Sequence, residues 1–230
     1  MTDDLLSAVR ARFDGRAGEY DGSAMHRQLA TAVAAFALEE GQSASDVLDV
    51  GTGTGLVLRA LHDRDPSLRL TGIDLSHGML EVARTALPGA ALVEGDATVL
   101  PFGDAEFDLV TCATSLHLFP DVRAAIAEWV RVLRPGGRVV TATFGDIDLS
   151  QHGGPPGAAV PQVGQGAGQS AGHHGATASP YPTHHELFRT PELLAEAVAP
   201  AGLELRRHAW WTHSDDRILL AELQPTASTR

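Results

Sequence analysis

The 230-residue chain contains no lysine and no asparagine, and it has a single cysteine, Cys112. All 17 of its basic residues are therefore arginines. Without lysine there is no phosphate-binding loop of the GxxxxGK type, no Schiff-base lysine and no lysine general base. Without asparagine there is no N-glycosylation acceptor, no asparagine-led oxyanion hole and no Asn-Pro-Pro-aromatic amino-methylation motif. One cysteine forms no internal disulfide and supplies no cysteine cluster for a metal. No run of about 18 apolar residues occurs. The first residues, MTDDLLSAVR, carry acids where a signal peptide would carry bases, so the chain is expected to be soluble and cytoplasmic, with no membrane partner. The formal charge of -12 opposes sequence-independent binding to a phosphate backbone, so no nucleic-acid partner is expected.

A hydrophobic content of 43% over this length is enough for one sizeable core, and a single domain over 1–230 is expected. Leu5, Val9 and Phe13, then Leu29, Val33 and Phe36, recur at helical spacing. They predict two amphipathic helices joined at DGRAGEYDGS, read as an N-terminal helical lid over 1–44. VLDV (47–50) reads as a short buried strand followed by a helix to about His62, and SLRLTGID ends in a second strand. Ser76 is placed as an N-cap with Leu75 and Leu80 as a hydrophobic staple, so a helix should run from there to about Ala86. ALVEGD and FDLVTCA are the third and fourth strands. Asp121 then caps a helix whose stripe is Val122, Ile126, Trp129, Val130 and Leu133, with Arg131 and Arg134 at its C-terminal end and Pro135-Gly136-Gly137 as its stop. RVVTATF is the fifth strand. Helices alternating with continuous apolar strands predict an α/β fold with a doubly wound, mostly parallel sheet.

Between Gly145 and His185 the periodicity fails, and 145–185 reads as a Gly/His-rich flexible insertion. Its histidines, His152, His173, His174, His184 and His185, offer only adjacent pairs without a helical i, i+4 pair, so no metal site is expected. Thr190-Pro191 opens a helix through Ala199, which Gly202 ends. LELRRHAWW and RILLAEL follow as a hairpin at one edge of the sheet.

The first strand runs into Gly51, Gly53 and Gly55 before a helix begins. Such a turn brings backbone N–H groups near a ligand, and in an open α/β sheet ligands lie at the carboxyl ends of the strands. The dinucleotide fingerprint GxGxxG fails at Leu56, and Asp49, just ahead of the glycines, would repel a pyrophosphate. Asp74, ending the second strand, suits the two hydroxyls of a ribose, and Asp96, ending the third, suits an exocyclic amine such as that of adenine. Three carboxylates at three successive strand ends point to a cationic adenosine ligand without phosphate.

VLDVGTGTG, LTGIDLSHGML, EGDATVLPFGDAEFDLV, ATSLHLFPD and WVRVLRPGGRVV, in this order over most of 45–144, resemble the class I S-adenosylmethionine-dependent methyltransferases. The resemblance is to the small-molecule branch, which includes quinone-ring C-methyltransferases and the malonyl-carrier-protein O-methyltransferase of biotin synthesis. RFDGRAGEYD near the N-terminus is similar to a segment of that branch. The resemblance implies a Rossmann-like seven-stranded sheet with its last strand antiparallel, S-adenosylmethionine as cofactor and a small-molecule acceptor. It places Gly51 and Gly53 against the methionine and ribose portion, Asp49 near the ammonium group and Asp74 on the ribose hydroxyls. Leu75 and Met79 line the adenine, Asp96 accepts from its amine and Ala97 supplies a backbone N–H. Thr114 faces the methionine part and Tyr20 covers the site. On periodicity alone Met79 is equally a core residue.

Methyl transfer from a sulfonium is an in-line displacement with a neutral leaving group, so alignment and exclusion of water matter most. Where the acceptor must lose a proton, His117 in SLHLF and His26 beside the lid are candidate bases, each also readable as a packing or surface histidine. Cys112 reads as a small core residue. Two readings from other classes stand beside this one: a non-catalytic S-adenosylmethionine-binding module, and a nicotinamide-dependent oxidoreductase, which the missing glycine at 56 and the charge at Asp49 oppose. Acceptor atom and oligomeric state are left open by the sequence.

Overall fold

The computed structural model describes residues 2–39, 42–145 and 183–226. Most of the 145–185 insertion, with His152, His173 and His174, lies outside the described residues. Seven strands form one sheet: β1 (Asp46–Val50), β2 (Arg69–Asp74), β3 (Ala91–Glu94), β4 (Phe107–Ala113), β5 (Leu133–Phe144), β6 (Leu203–His213) and β7 (Asp216–Pro225). Their order is β3-β2-β1-β4-β5-β7-β6. β1 to β5 are parallel, and the closing hairpin inserts β7 antiparallel between β5 and β6. The order reverses at β1, so the switch point lies between β1 and β4, beside the glycine turn.

Helices cover both faces, as the continuous apolar strands require. α1 (Thr2–Asp14), α2 (Ala17–Tyr20) and α3 (Ala24–Ala37) precede the sheet. α4 (Leu56–Arg64), α5 (His77–Ala86), α6 (Val122–Val132) and α7 (Pro191–Val198) follow in turn. Alternation along β1 sends Val47 to the side of α3 and α4, where it meets Leu29, Val33, Leu58 and Leu61. Leu48 and Val50 go to the side of α6 and α7, against Ile126, Trp129, Leu194 and Val198. Of the segment expected as a lid, α3 therefore belongs to the core, and α1 and α2 are the parts that reach the carboxyl ends of the strands.

The expected caps form: Ser76, Asp121 and Thr190 accept from the backbone N–H groups of Met79, Ala124 and Leu193. Two local expectations are corrected. DGRAGEYDGS is not a plain joint, because Ala17–Tyr20 makes a further helical turn within it. α6 ends at Val132, before Pro135-Gly136-Gly137; Leu133 is already extended and pairs with Phe107, and the three residues sit in an irregularity ahead of Arg138. Arg134 consequently serves no helix end. It binds Asp46 at 2.7 Å and Asp108 at 3.0 Å across the amino ends of the strands.

A buried ion cluster ties α3 to the sheet. Glu222 of β7 accepts from Arg207 Nε at 3.0 Å and lies 4.0 Å from Arg138 Nε. Arg138 donates to the carbonyls of Ala37 and Ser43, and Arg207 to that of Phe36, so the unpaired C-terminal carbonyls of α3 gain donors. Removing the carboxylate leaves Arg138 charged in an apolar layer. Glu222→Ala is expected to cost about 3–5 kcal/mol, read as a lower urea midpoint at unchanged slope.

Candidate functional site

The glycine turn is built by different demands at each glycine. Gly51 has φ +70°, and a Cβ there would meet Ser115 Oγ at 2.4 Å. Gly55 is the left-handed residue at the start of α4, and its Cβ would stand 3.3 Å from Ala83. Gly53 also has positive φ, but a Cβ on it would meet nothing within 4 Å and would point into open space. At this last glycine the left-handed φ, and not lack of space, is what favours glycine.

The turn does not present its amides as the sequence argument expects. Gly51 and Thr52 donate to the Ile73 carbonyl at 2.9 and 3.0 Å, and Gly53 donates to Asp74 Oδ2 at 2.7 Å. Three successive N–H groups are taken by the end of β2. These three amides are therefore not free to cradle an anion.

Asp74 also accepts from Ser76 N at 2.8 Å. Burial pushes its carboxyl above the usual range, against the pull of the Ser76, Gly53 and Leu75 amides. A carboxylate has about four lone-pair sites, so even with these backbone donors it can still accept from a hydroxyl. Asp49 lies beneath the turn, where its register partner Thr111 donates to Oδ1 at 2.7 Å. Burial raises its carboxyl to about 6, opposed by Thr111 and Thr52 and aided by the charge of Asp74. Asp96 Oδ1 accepts from Thr98 N at 2.8 Å in a local turn at the end of β3.

A cleft of about 720 Å³, counting space open to solvent, lies over these strand ends, within the size range of small-molecule sites. It brings together Tyr20, Gly51, Gly53, Asp74, Leu75, Met79, Asp96, Ala97 and Thr114. Asp49 and His26 line a smaller adjoining cavity that shares Tyr20, Gly51, Gly53 and Thr114. Thr114 has φ +54°, an outlier for a β-branched residue, of the kind that clusters at functional sites. Its side chain bonds the Tyr20 hydroxyl, and burial pushes that phenol up to about 12, so it stays protonated.

His26 is buried and stacks on Tyr20, with ring centroids 4.6 Å apart. His117 is also buried but is not among the residues lining either cavity; it stacks on His185 at 3.9 Å, with Phe144 edge-on to both. Among the described residues no group of three or more His, Cys, Asp or Glu is placed to hold a metal.

Sequence reasoning missed much of the apolar wall: Leu6, Val9 and Phe13 from α1, and Leu118, Phe119 and Pro120 beyond β4. Their signals were present. The α1 stripe was visible as helical spacing but faces a cleft instead of a core, and Ser115 to Pro120 lie inside ATSLHLFPD.

Comparison with known proteins agrees with this geometry. A family model described as a methyltransferase domain matches residues 48–141. A demethylmenaquinone methyltransferase of Deinococcus radiodurans is 33% identical over 226 residues, covering 90% of this chain and 89% of that one. A malonyl-[acyl-carrier protein] O-methyltransferase of Methylococcus capsulatus is 35% identical over 147 residues, covering 62% of this chain and 54% of that one. Among solved structures, the DhpI–SAH complex has a TM-score of 0.65 at 23% identity over 97% of this chain and 98% of that one. The methyltransferase bound to the Trm112 activator of Haloferax volcanii has a TM-score of 0.69 at 21% identity over 93% of this chain and 97% of that one. At these identities the two structures speak to the fold. No helix among the described residues is long and apolar enough to cross a membrane.

The glycines should separate on substitution. Gly53→Ala is expected to fold with a loss of about 1–2 kcal/mol for its left-handed φ, while Gly51→Ala, which also clashes with Ser115, should lose more, as thermal melts of the two variants would show.

Proposed function

The chain belongs to the S-adenosylmethionine-dependent methyltransferase family, and from that premise we propose that it methylates an uncharged, apolar small molecule held between α1 and residues 118–120. The lining carries the reading. Once the carboxylates at the strand ends are given to the cofactor, the remaining wall is mostly apolar, with Leu6, Val9, Phe13, Leu118, Phe119 and Pro120, and Ser115 adds one hydroxyl. Among the described residues that line the cleft, the charged side chains are Asp74 and Asp96, which repel an anionic acceptor. Residues 146–182 contain no arginine or lysine that could reverse that sign.

The residues present fit the cofactor. The open space at Gly53, the two acceptor carboxylates and the turn whose amides are already paired suit an adenosine with a positive charge and no phosphate. We assign Asp74 to the ribose hydroxyls, Leu75 and Met79 to the faces of the adenine, and Asp96 with the Ala97 N–H to its edge. Gly51, Gly53, Thr114 and Asp49 take the methionine end, and Tyr20 covers it. When bound, S-adenosylmethionine supplies an electrophilic methyl group on a sulfonium whose departure leaves a neutral thioether. The chain then has to align and to exclude water. α1 closes one side with apolar groups, and the protonated Tyr20, held by Thr114, caps the methionine end without adding charge. Where the acceptor must lose a proton, the proposed base is His26, which lines the cavity beside Tyr20 and Thr114, while the other sequence candidate, His117, lines neither cavity and stacks on His185.

Between the two kinds of relative, the apolar wall favours a ring acceptor like demethylmenaquinone over a malonyl group, which bears a carboxylate. Transfer of labelled methyl from S-adenosylmethionine across quinone-like rings, phenols, amines and carboxylic acids tests this. Incorporation is expected into neutral rings, and incorporation into malonyl thioesters alone would refute it.

Asp49 makes cofactor binding pH-dependent. Its folded-state pKa of about 6 means that the carboxylate facing the cation is present above that pH and is protonated below it. Affinity for S-adenosylmethionine should be level above about pH 7 and fall by up to about tenfold per unit below about pH 6, with Asp49→Asn abolishing the slope in calorimetric titrations.

A further inference from the structure

The polypeptide from α1 to α2 crosses the cleft and is fastened on both sides by an aspartate. At the end of α1, Asp14 Oδ1 accepts from Ser76 Oγ at 2.5 Å and from Gly78 N at 2.9 Å. Those are donors at the start of α5, whose Met79 borders the cleft together with Leu75 just ahead of the helix. One turn earlier Arg10 Nε donates to the Leu75 carbonyl at 3.0 Å. Past Tyr20, Asp21 accepts from Thr54 Oγ1 at 2.5 Å and from Arg59 Nη2 at 2.6 Å. Thr54 is fully buried within the glycine turn, and Arg59 stands on α4. Tyr20 lies between the two fastenings.

Gly78 supplies an independent sign that the first fastening is built in. Its φ is not in the left-handed region, so the backbone makes no demand for glycine there. A Cβ at Gly78 would instead stand 3.2 Å from Asp14 Oδ1 and 3.3 Å from Asp14 Cα. The glycine is what lets Asp14 come so close to α5.

We propose that Asp14 and Asp21 are positioning residues that strap α1 and Tyr20 across the cofactor cleft, Asp14 on α5 and Asp21 on the glycine turn and α4. The inference rests on the cleft being the cofactor's, as proposed above. Neither aspartate lines the cleft, so each acts through the residues it places: Leu6, Val9 and Phe13 for Asp14, Tyr20 for both. α1 turns Leu6, Val9 and Phe13 to the cleft and exposes its opposite face, and Arg10 adds an ion pair with Glu94 at 3.5 Å beside the aspartate fastening. Ligand contacts made by the strap exist only in the fastened state, and affinity falls with the fraction of molecules in that state. Entry and departure of the cofactor then require one fastening to open.

The test is binding of S-adenosylhomocysteine to the full chain, with dissociation rates from stopped-flow displacement. Binding by the unsubstituted protein checks the cofactor reading itself, and its failure would remove that reading and the strap together. Given binding, Asp14→Ala and Gly78→Ala are each expected to raise Kd about tenfold, mainly through faster dissociation. The double variant should lose no more than either single one, since both break one contact. Asp14→Asn, which keeps the acceptor oxygen, should stay within about threefold of the unsubstituted protein. Amide exchange over residues 2–14 adds a readout independent of affinity: ligand should slow it in the unsubstituted protein and in Asp14→Asn but not in Asp14→Ala. Unchanged Kd in Asp14→Ala and Gly78→Ala, additive losses in the double variant, or ligand-induced protection of α1 in Asp14→Ala would each overturn the strap.

Discussion

The site depends on the way the end of β2 takes up the amides of the glycine turn. Gly51 and Thr52 share the Ile73 carbonyl, and Gly53 is held by the Asp74 carboxylate. In a phosphate-binding turn those N–H groups would face the ligand. Here they are satisfied within the protein, as buried backbone donors must be, and the turn contributes shape and not positive potential. The same bonds hold Gly51 and Gly53 in left-handed conformations, set Asp74 directly beside the turn and leave its remaining lone pairs for hydroxyls. One arrangement thus withholds three amides from an anion and positions the residue proposed to hold the ribose.

Charge follows from this geometry. With the turn's donors paired, Asp49 and Asp74 are left buried, and burial raises both carboxyls, with the charge of Asp74 adding to it at Asp49 and that of Asp14 adding to it at Asp74. Such a pair is costly to keep ionised without a cation nearby. A ligand with a positive charge and hydroxyl donors relieves both costs at once, since the cation favours the ionised forms and the hydroxyls satisfy them. The electrostatic strain in the free protein is therefore a form of preorganisation for a sulfonium-bearing adenosine. Thr111 adds to it from β4 by donating to Asp49, so the register of two strands, and not a loop, sets the position of that carboxylate.

Much of the fold was legible from periodicity. All seven strands, the caps at Ser76, Asp121 and Thr190, and the closing hairpin stand where apolar alternation and capping residues indicate them, because each rests on local chemistry. The errors were also local in cause. Leu133 continues the α6 stripe in sequence yet begins β5, since pairing with Phe107 outweighs one more helical residue. The carboxylates at the strand ends were readable because topology makes strand ends a place for ligands. The apolar wall was not: a stripe such as Val9 and Phe13 looks the same whether it meets a core or a cleft, and only tertiary placement tells which. Asp14, Asp21 and Gly78 were hidden for a related reason, as their partners lie 62, 33 and 64 residues away.

That distance explains why a helix over a cleft should be fastened by aspartates. A helix that buries its apolar stripe in a core is held by area, and its stability does not vary with ligand. α1 lays its stripe on a cleft that fills and empties, so the area it buries belongs partly to the ligand. Hydrophobic contact alone would let it slide or collapse into the empty site, since such contact is not directional. Hydrogen bonds from Ser76 and Gly78 to Asp14, and from Thr54 to Asp21, are directional and end on the elements that carry the cleft's other walls. They are net contributors of about 1 kcal/mol each, enough to bias the position of α1 without fixing it. Asp14 gains a further advantage from its place, because the Ser76 hydroxyl, with the Gly78 N–H and the charge of Arg10, holds its carboxyl below the usual carboxylate range and so ionised.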